Sequence, residues 1–323
     1  MKNDRRTFLK FAGMAGFTVA GRKLFAETGN FQNLFNVDPG EVPMQAGGIS
    51  IIGSYGPWAA GLLDKKLPLY SFRRDNWKSL AKWKKAAKKT YFDRLSMPAF
   101  LGTPQVTVTR GYNYDGLHIE EMNWTLPNGG RSEAVLLKPQ NASGRLPGVL
   151  AFHDHSGNKY FGTEKIVRTS DDEHPMMKEH KQNLYEGRAW ANDLAKRGYV
   201  VLASDAFPFA SRRVMLKDVP ERQRQGLTDP EPGDYAGIDA YNRWAGQHEH
   251  IMAKSLFSAG TTWPAVFLAE DIKALDVLCA RDDVDNERIG CCGLSGGGMR
   301  SVFIGGADER IKCAIPVGFM TTW

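Results

Sequence analysis

Ser295 sits in Gly293-Leu294-Ser295-Gly296-Gly297, a G-x-S-x-G pentapeptide. Residues 288–293 before it (R-I-G-C-C-G) are apolar or small and read as a strand, and the run from Gly296 to Ile304 opens with small residues that can begin a helix. A serine between strand and helix stands on a sharp turn, its hydroxyl pushed out of the top of the sheet. Gly293 and Gly297, two before and two after, let the neighbouring backbone pass without Cβ clashes. The helix N-terminus adds free N–H groups and positive potential, which suit a developing oxyanion. The chemistry this predicts is acyl transfer, with Ser295 as nucleophile and the Gly296 N–H as first oxyanion donor. The bland alternative is a glycine-rich turn with an idle serine.

Acyl transfer also needs a base, an acid to orient it and a second N–H donor. The apolar run 146–152 ends in His153-Asp154-His155-Ser156-Gly157, which is placed to supply that donor from the backbone of Asp154 or His155, with His153 bracing the loop. The loop is similar to the H-G-x-G type, with Asp154 where glycine is commoner. A metal site of H-x-H-x-D-H type fails at Gly157 and Asn158, and His248-Glu249-His250 lacks H-E-x-x-H spacing and reads as a solvated lid loop. No metal or cofactor is expected.

Apolar strands alternating with helices must position these groups. Strands are predicted at 117–125 and 131–138, a hairpin through Pro127-Asn128-Gly129-Gly130, then at 146–152, 198–205, 288–293 and 311–319. Helices are predicted at 75–95, 187–197 and 263–280, the first as an amphipathic helix packed on a domain or lying on a membrane surface. The pattern implies an α/β fold with a mostly parallel sheet covered on both faces. Between residues 206 and 262 it breaks at Pro208, Pro220, Pro230 and Pro232. This insertion reads as a lid or substrate wall over the site, or as a surface excursion.

The N-terminus reads as an address rather than as fold. Arg5-Arg6-Thr7-Phe8-Leu9-Lys10, the apolar run 11–20 and Leu24-Phe25-Ala26 look like a Tat export signal over residues 1–26, implying the Tat translocon as partner and a periplasmic or extracellular destination. The apolar run is too short to anchor the chain in a bilayer. Residues 1–26 carry six Lys/Arg and one Asp, so most of the net charge of +6 leaves with them. The near-neutral remainder gives no argument for nucleic acid. Residues 27–110 read as an N-terminal extension containing the 75–95 helix, and 111–323 as the catalytic domain. Cys279, Cys291, Cys292 and Cys313 have no metal-ligand spacing and read as small buried hydrophobes, with a disulfide after export as the alternative.

The runs F-H-D-H-S-G-N-K-Y-F-G-T-E-K-I (152–166), Y-V-V-L-A-S-D-A-F (199–207) and R-I-G-C-C-G-L-S-G-G-G-M-R-S (288–301) together resemble the dienelactone hydrolase/acetyl xylan esterase group of α/β-hydrolases. The resemblance covers about residues 115–323. It implies an eight-stranded α/β-hydrolase sheet and hydrolysis of carboxylic esters, commonly of carbohydrates such as a polysaccharide; serine in place of cysteine as nucleophile points to the esterase branch. It also implies an acid and a histidine after the nucleophile. After Ser295 there are Asp308 and Glu309 but no histidine, all seven histidines lying upstream. The expectation is a C-terminally incomplete chain whose acid and histidine lie beyond Trp323; the alternative is a base borrowed from upstream, with His155 nearest. A peptidase of the same fold and an inactive hydrolase-fold module are the competing functions.

Overall fold

The computed structural model describes residue 50 and residues 52–62, 67–100 and 102–319. The export signal expected over 1–26 lies outside the described residues, as does the start of the extension at 27–49. Those described fall in two compact units that divide between Tyr91 and Phe92. In the first, Trp83 Nε1 donates to Tyr70 O at 2.8 Å, and the rings of Tyr70 and Trp77 stack at 6.1 Å. Helix α1 (Leu80–Leu95) contains the division, and half-buried positions such as Trp83, Ala86, Ala87, Thr90 and Tyr91 recur at helical spacing, with Lys82, Lys84, Lys85 and Lys89 exposed between them.

The second unit is built on a seven-stranded sheet. Its strands are β1 (Val106–Tyr114), β2 (Leu117–Thr125), β3 (Arg131–Pro139), β4 (Leu146–Phe152), β5 (Val200–Ser204), β6 (Val284–Leu294) and β7 (Ile311–Val317), in the order β1-β2-β3-β5-β4-β6-β7. The first four in that order pair antiparallel. The pairs β4–β5, β4–β6 and β6–β7 are parallel. The sheet is therefore mixed, where the sequence predicts a mostly parallel one. For two of the three antiparallel pairs the reason is connection length: Asp115-Gly116 joins β1 to β2 and residues 126–130 join β2 to β3, and links so short close only antiparallel pairs. β1 itself is unpredicted, and it starts at Val106, ahead of the domain boundary expected at 110/111.

The central strands read as the sequence requires. β4 is buried from Gly148 to Phe152 and β5 throughout, as continuous apolar runs are when both faces are covered. On one face Val149, Ala151, Val201 and Ala203 meet Ala191, Leu194 and Ala195 of helix α3 (Trp190–Lys196), which follows helix α2 (Pro175–Tyr185). On the other lies helix α5 (Trp263–Cys279), N-capped by Thr262, whose hydroxyl accepts from Ala265 N at 3.2 Å. Twelve of its seventeen residues are buried, and Leu278 reaches to 3.2 Å of where a Cβ on Gly148 would stand. Helix α6 (Gly296–Ala307) packs on the same side, tied to α5 by a buried two-point ion pair: Arg300 Nε and Nη2 meet Asp271 at 3.1 and 2.6 Å.

The insertion is not irregular throughout. Helix α4 (Tyr235–Ser258) fills its second half, with Asp234 capping it through a bond from Gly237 N at 2.9 Å. Ile238, Tyr241, Ala245 and Met252 are buried along one face of α4, and Tyr241, Trp244 and Ala245 form a small core with Leu216 and Val219. This corrects the solvated loop expected at His248-Glu249-His250, which lies on α4 with His248 stacked on Trp244 at 4.6 Å.

Candidate functional site

Ser295 is exposed and stands between β6 and α6 at φ 54°, ψ −112°, outside the regions an L-residue favours. Its N–H donates to Val317 O at 2.8 Å, and its carbonyl accepts from Met299 N at 2.9 Å. Both backbone groups are thus fixed while the side chain caps nothing. The flanking glycines are required by close approach. A Cβ at Gly293 would lie 2.5 Å from Phe152 O, and one at Gly297 would lie 2.3 Å from the same oxygen. The end of β4 and the start of α6 therefore meet backbone to backbone.

That contact brings the 153–157 loop to the serine. A Cβ on Gly296 would lie 2.9 Å from both His155 N and His155 Cβ. The His155 amide thus lies close to Gly296 at the head of α6, and neither residue's N–H has an acceptor among the described residues. Asp154 turns its side chain away into the protein, where its Oδ2 is 3.0 Å from His180 Nε2 and accepts from Tyr185 OH at 2.6 Å. Burial alone would raise the Asp154 carboxyl. The His180 hydrogen bond and the Lys165 ammonium outweigh it and hold the group well below the usual carboxylate range.

His153 braces the loop as its position predicts. It is buried, its Nδ1 lies 3.0 Å from Asp154 O, and its Nε2 accepts from Ala206 N at 3.3 Å. That pattern makes Nδ1 the protonated nitrogen. Burial, with Lys165 and Arg300 nearby, pushes the ring well below the ordinary histidine value, so it is neutral. Lys165 is fully buried and donates to Asp154 O at 3.0 Å and His155 O at 3.1 Å, with its ammonium 4.6 Å from the Phe209 ring centre.

Burial brings Lys165 down to about 8, the Asp154 charge only partly offsetting it. The sign of the consequence is fixed by linkage. Above pH 8 the native state has released a proton that the unfolded chain keeps up to its ordinary value near 10.5, so stability rises with pH across that window. Relative to Lys165→Met, the wild type should gain about 2 kcal/mol between pH 8 and pH 9.5, read by urea unfolding. A flat difference would show that folded Lys165 keeps its proton into the ordinary lysine range, so that burial does not lower it.

The His155 ring has partners the sequence does not reveal. Its Nδ1 accepts from Gly157 N at 3.0 Å, and its Nε2 lies 2.6 Å from Oε1 of Glu249 on α4. Lys159 Nζ, almost wholly buried, bonds the same carboxylate oxygen. Glu249 would be raised by burial, but the bonds from His155 and Lys159 bring it down to about 2. So engaged, the ring is committed to α4, and among the described residues no histidine is bonded to the Ser295 hydroxyl. Asp308 is bonded to Arg310 at 2.7 and 3.0 Å and precedes β7. Because β6 and β7 are parallel neighbours, Asp308 lies at the opposite end of the strands from Ser295, a strand length of about 20 Å away.

Among the described residues no group of three His, Cys, Asp or Glu side chains could hold a metal ion. None of the four cysteines is in a disulfide; Cys291 is buried, the other three partly so, and burial pushes the Cys292 thiol up to about 12. A cavity of about 430 Å³ opens beside the end of β5, between Tyr160, Glu164, Arg168, Asp205 and Arg213. Ser295 is not in its wall. Buried Asp205, raised by burial and by Glu164, accepts there from Thr163 N at 3.0 Å and Ser211 Oγ at 2.7 Å.

No family model matches the chain. A solved structure from Bacteroides fragilis described as a "putative acetyl xylan esterase" superposes with a TM-score of 0.57 at 19% identity, over 83% of this chain and 61% of its own. The fold is α/β-hydrolase-like. Acetyl xylan esterase 1 of a Thermoanaerobacterium species is similar over 72% of this chain and 61% of its own, at 16% identity and a TM-score of 0.43. By sequence, "Putative hydrolase YtaP" of Bacillus subtilis (strain 168) is 23% identical over 185 residues, 57% of this chain and 47% of its own length. The chain thus spans about half the length of the curated relative it matches. In this fold β6 is the strand that leads to the exposed serine and β4 the strand that leads to the 153–157 loop.

Proposed function

We propose that this protein is an exported serine esterase that cleaves carboxylic esters, of carbohydrate acetyl type, through an acyl-Ser295 intermediate. The observation that carries the reading is the spot at Ser295: an exposed hydroxyl on a strained turn, beside two amides, Gly296 and His155, without acceptors. Ser295 Oγ attacks the ester carbonyl and passes its proton to a base. The carbonyl oxygen becomes an oxyanion and accepts from the Gly296 and His155 N–H groups, which cost no reorganisation because α6 and the bonds of Lys165 already hold them. The tetrahedral carbon then expels the alcohol, which takes the proton. Water repeats the sequence on the acyl-serine and releases the acid. The insertion, with α4 in it, acts as the lid. The Tat-type segment at 1–26 supports export, and the printed name of the fold neighbour supports acetylated sugars as the first substrates to try.

The test is turnover by the full-length protein of p-nitrophenyl acetate and acetylated xylo-oligosaccharides, beside peptide p-nitroanilides. Ester hydrolysis with inert anilides is expected. Cleavage of the anilides with inert esters would replace the reading by a peptidase, and sugar binding without turnover by a binding module.

A further inference from the structure

We propose that Glu249, from the middle of α4, is a positioning residue for this site: it clamps the ring of His155 and so aims the His155 amide at the oxyanion. The inference rests on the reading of Ser295 as nucleophile. His155 is held at three points. Its carbonyl accepts from Lys165 at 3.1 Å, its Nδ1 accepts from Gly157 N at 3.0 Å, and its Nε2 donates to Glu249 Oε1 at 2.6 Å. The bond at Nδ1 fixes the tautomer, because a ring nitrogen that accepts leaves the proton on the other. Its backbone N–H is left, and that amide lies against Gly296.

Lys159 shows why the carboxylate must be charged. Its ammonium is almost wholly buried, bonds Glu249 Oε1, and lies 3.0 Å from His155 Nε2. Two donors cannot bond one another, so both converge on Glu249. Burial lowers Lys159, and the bond and charge of Glu249 partly offset that burial. Phe209 closes the other side, with its ring 5.4 Å from that of His155 and 5.1 Å from Lys159 Nζ. Removing the Glu249 charge frees the ring of a loop whose amide must be aimed to a few tenths of an ångström, since oxyanion bonds act only near 2.7–3.1 Å. The insertion is then a working part of the site, joined to it across 94 residues of sequence.

Glu249→Gln keeps the size of the side chain and an acceptor oxygen. It should lower kcat about 10-fold with KM nearly unchanged, because the lost contact serves the transition state and not the bound ester. It also strands the Lys159 charge and should lower the melting temperature. The double variant Glu249→Gln/Lys159→Met separates the two effects. Without a buried cation to compensate, stability should return towards wild type while kcat stays low, and the downfield proton resonance of His155 Nε2–H should move upfield in both variants, because a neutral amide oxygen is a weaker acceptor than the carboxylate. Recovery of kcat together with stability would reduce Glu249 to a structural counter-ion and overturn the proposal, as would full kcat in the single variant. Absence of turnover in the wild type itself would count against the esterase reading; the His155 resonance, far downfield in wild type and shifted upfield in both variants, would still report the clamp.

Discussion

Ser295→Ala is expected to lower ester turnover by a factor of about 10³ or more, leaving what the two amides and substrate binding supply on their own. Because the side chain caps nothing and is exposed, the melting temperature should scarcely move. Ser295→Gly sharpens the result. A residue at φ 54°, ψ −112° carries strain that glycine does not. Glycine at 295 should therefore be inactive and about 1 kcal/mol more stable than the wild type, read by urea unfolding. A structure that holds a serine there at the expense of stability is using its hydroxyl. If glycine brought no gain, the strain argument would fail; if alanine kept full turnover, the nucleophile would lie elsewhere.

The second large effect is on folding. In Gly297→Ala the new methyl would sit 2.3 Å from Phe152 O, 2.9 Å from Phe152 C and 3.0 Å from His153 O. These are backbone atoms at the end of β4, so no side chain can swing aside, and α6 must shift away from the loop. A loss of about 3 kcal/mol or more is expected, and activity should fall further than stability because the shift parts the Gly296 and His155 amides. Gly306→Ala on the same helix is the control. It meets nothing within 4 Å, and relief of backbone freedom near a helix end should make it neutral or stabilising by about half a kcal/mol. Equal losses at 297 and 306 would show that helix α6 is not docked on β4 through its glycines.

The readable parts of the fold were those governed by local pattern. β4 and β5 are unbroken apolar runs, α5 keeps its period and begins at a Thr cap, and the elbow carries its own glycines. Within residues 206–262 the four prolines masked α4, although Asp234 and the spacing of Ile238, Tyr241, Ala245 and Met252 mark a capped amphipathic helix. Two of the three antiparallel pairs follow from tight connections, and only the one at 126–130 carries a hairpin signal in the sequence. The roles of Glu249, Lys159, Lys165 and His180 were not legible at all. Each acts across the fold on one loop, and nothing in local periodicity reports that residue 249 meets residue 155. Asp154, unusual where glycine is commoner, was the one local sign of that hidden network: its carboxylate has partners on α2 that glycine could not use.

The central claim is a covalent acyl-serine at the head of α6. Its most direct test is peptide mass spectrometry of the full-length protein quenched during turnover of p-nitrophenyl acetate. One acetyl group on the peptide containing Ser295, absent from Ser295→Ala, is the predicted result. Turnover with the acetyl group on another residue, or with no acyl-enzyme trapped under conditions where deacylation is slowed, would contradict it.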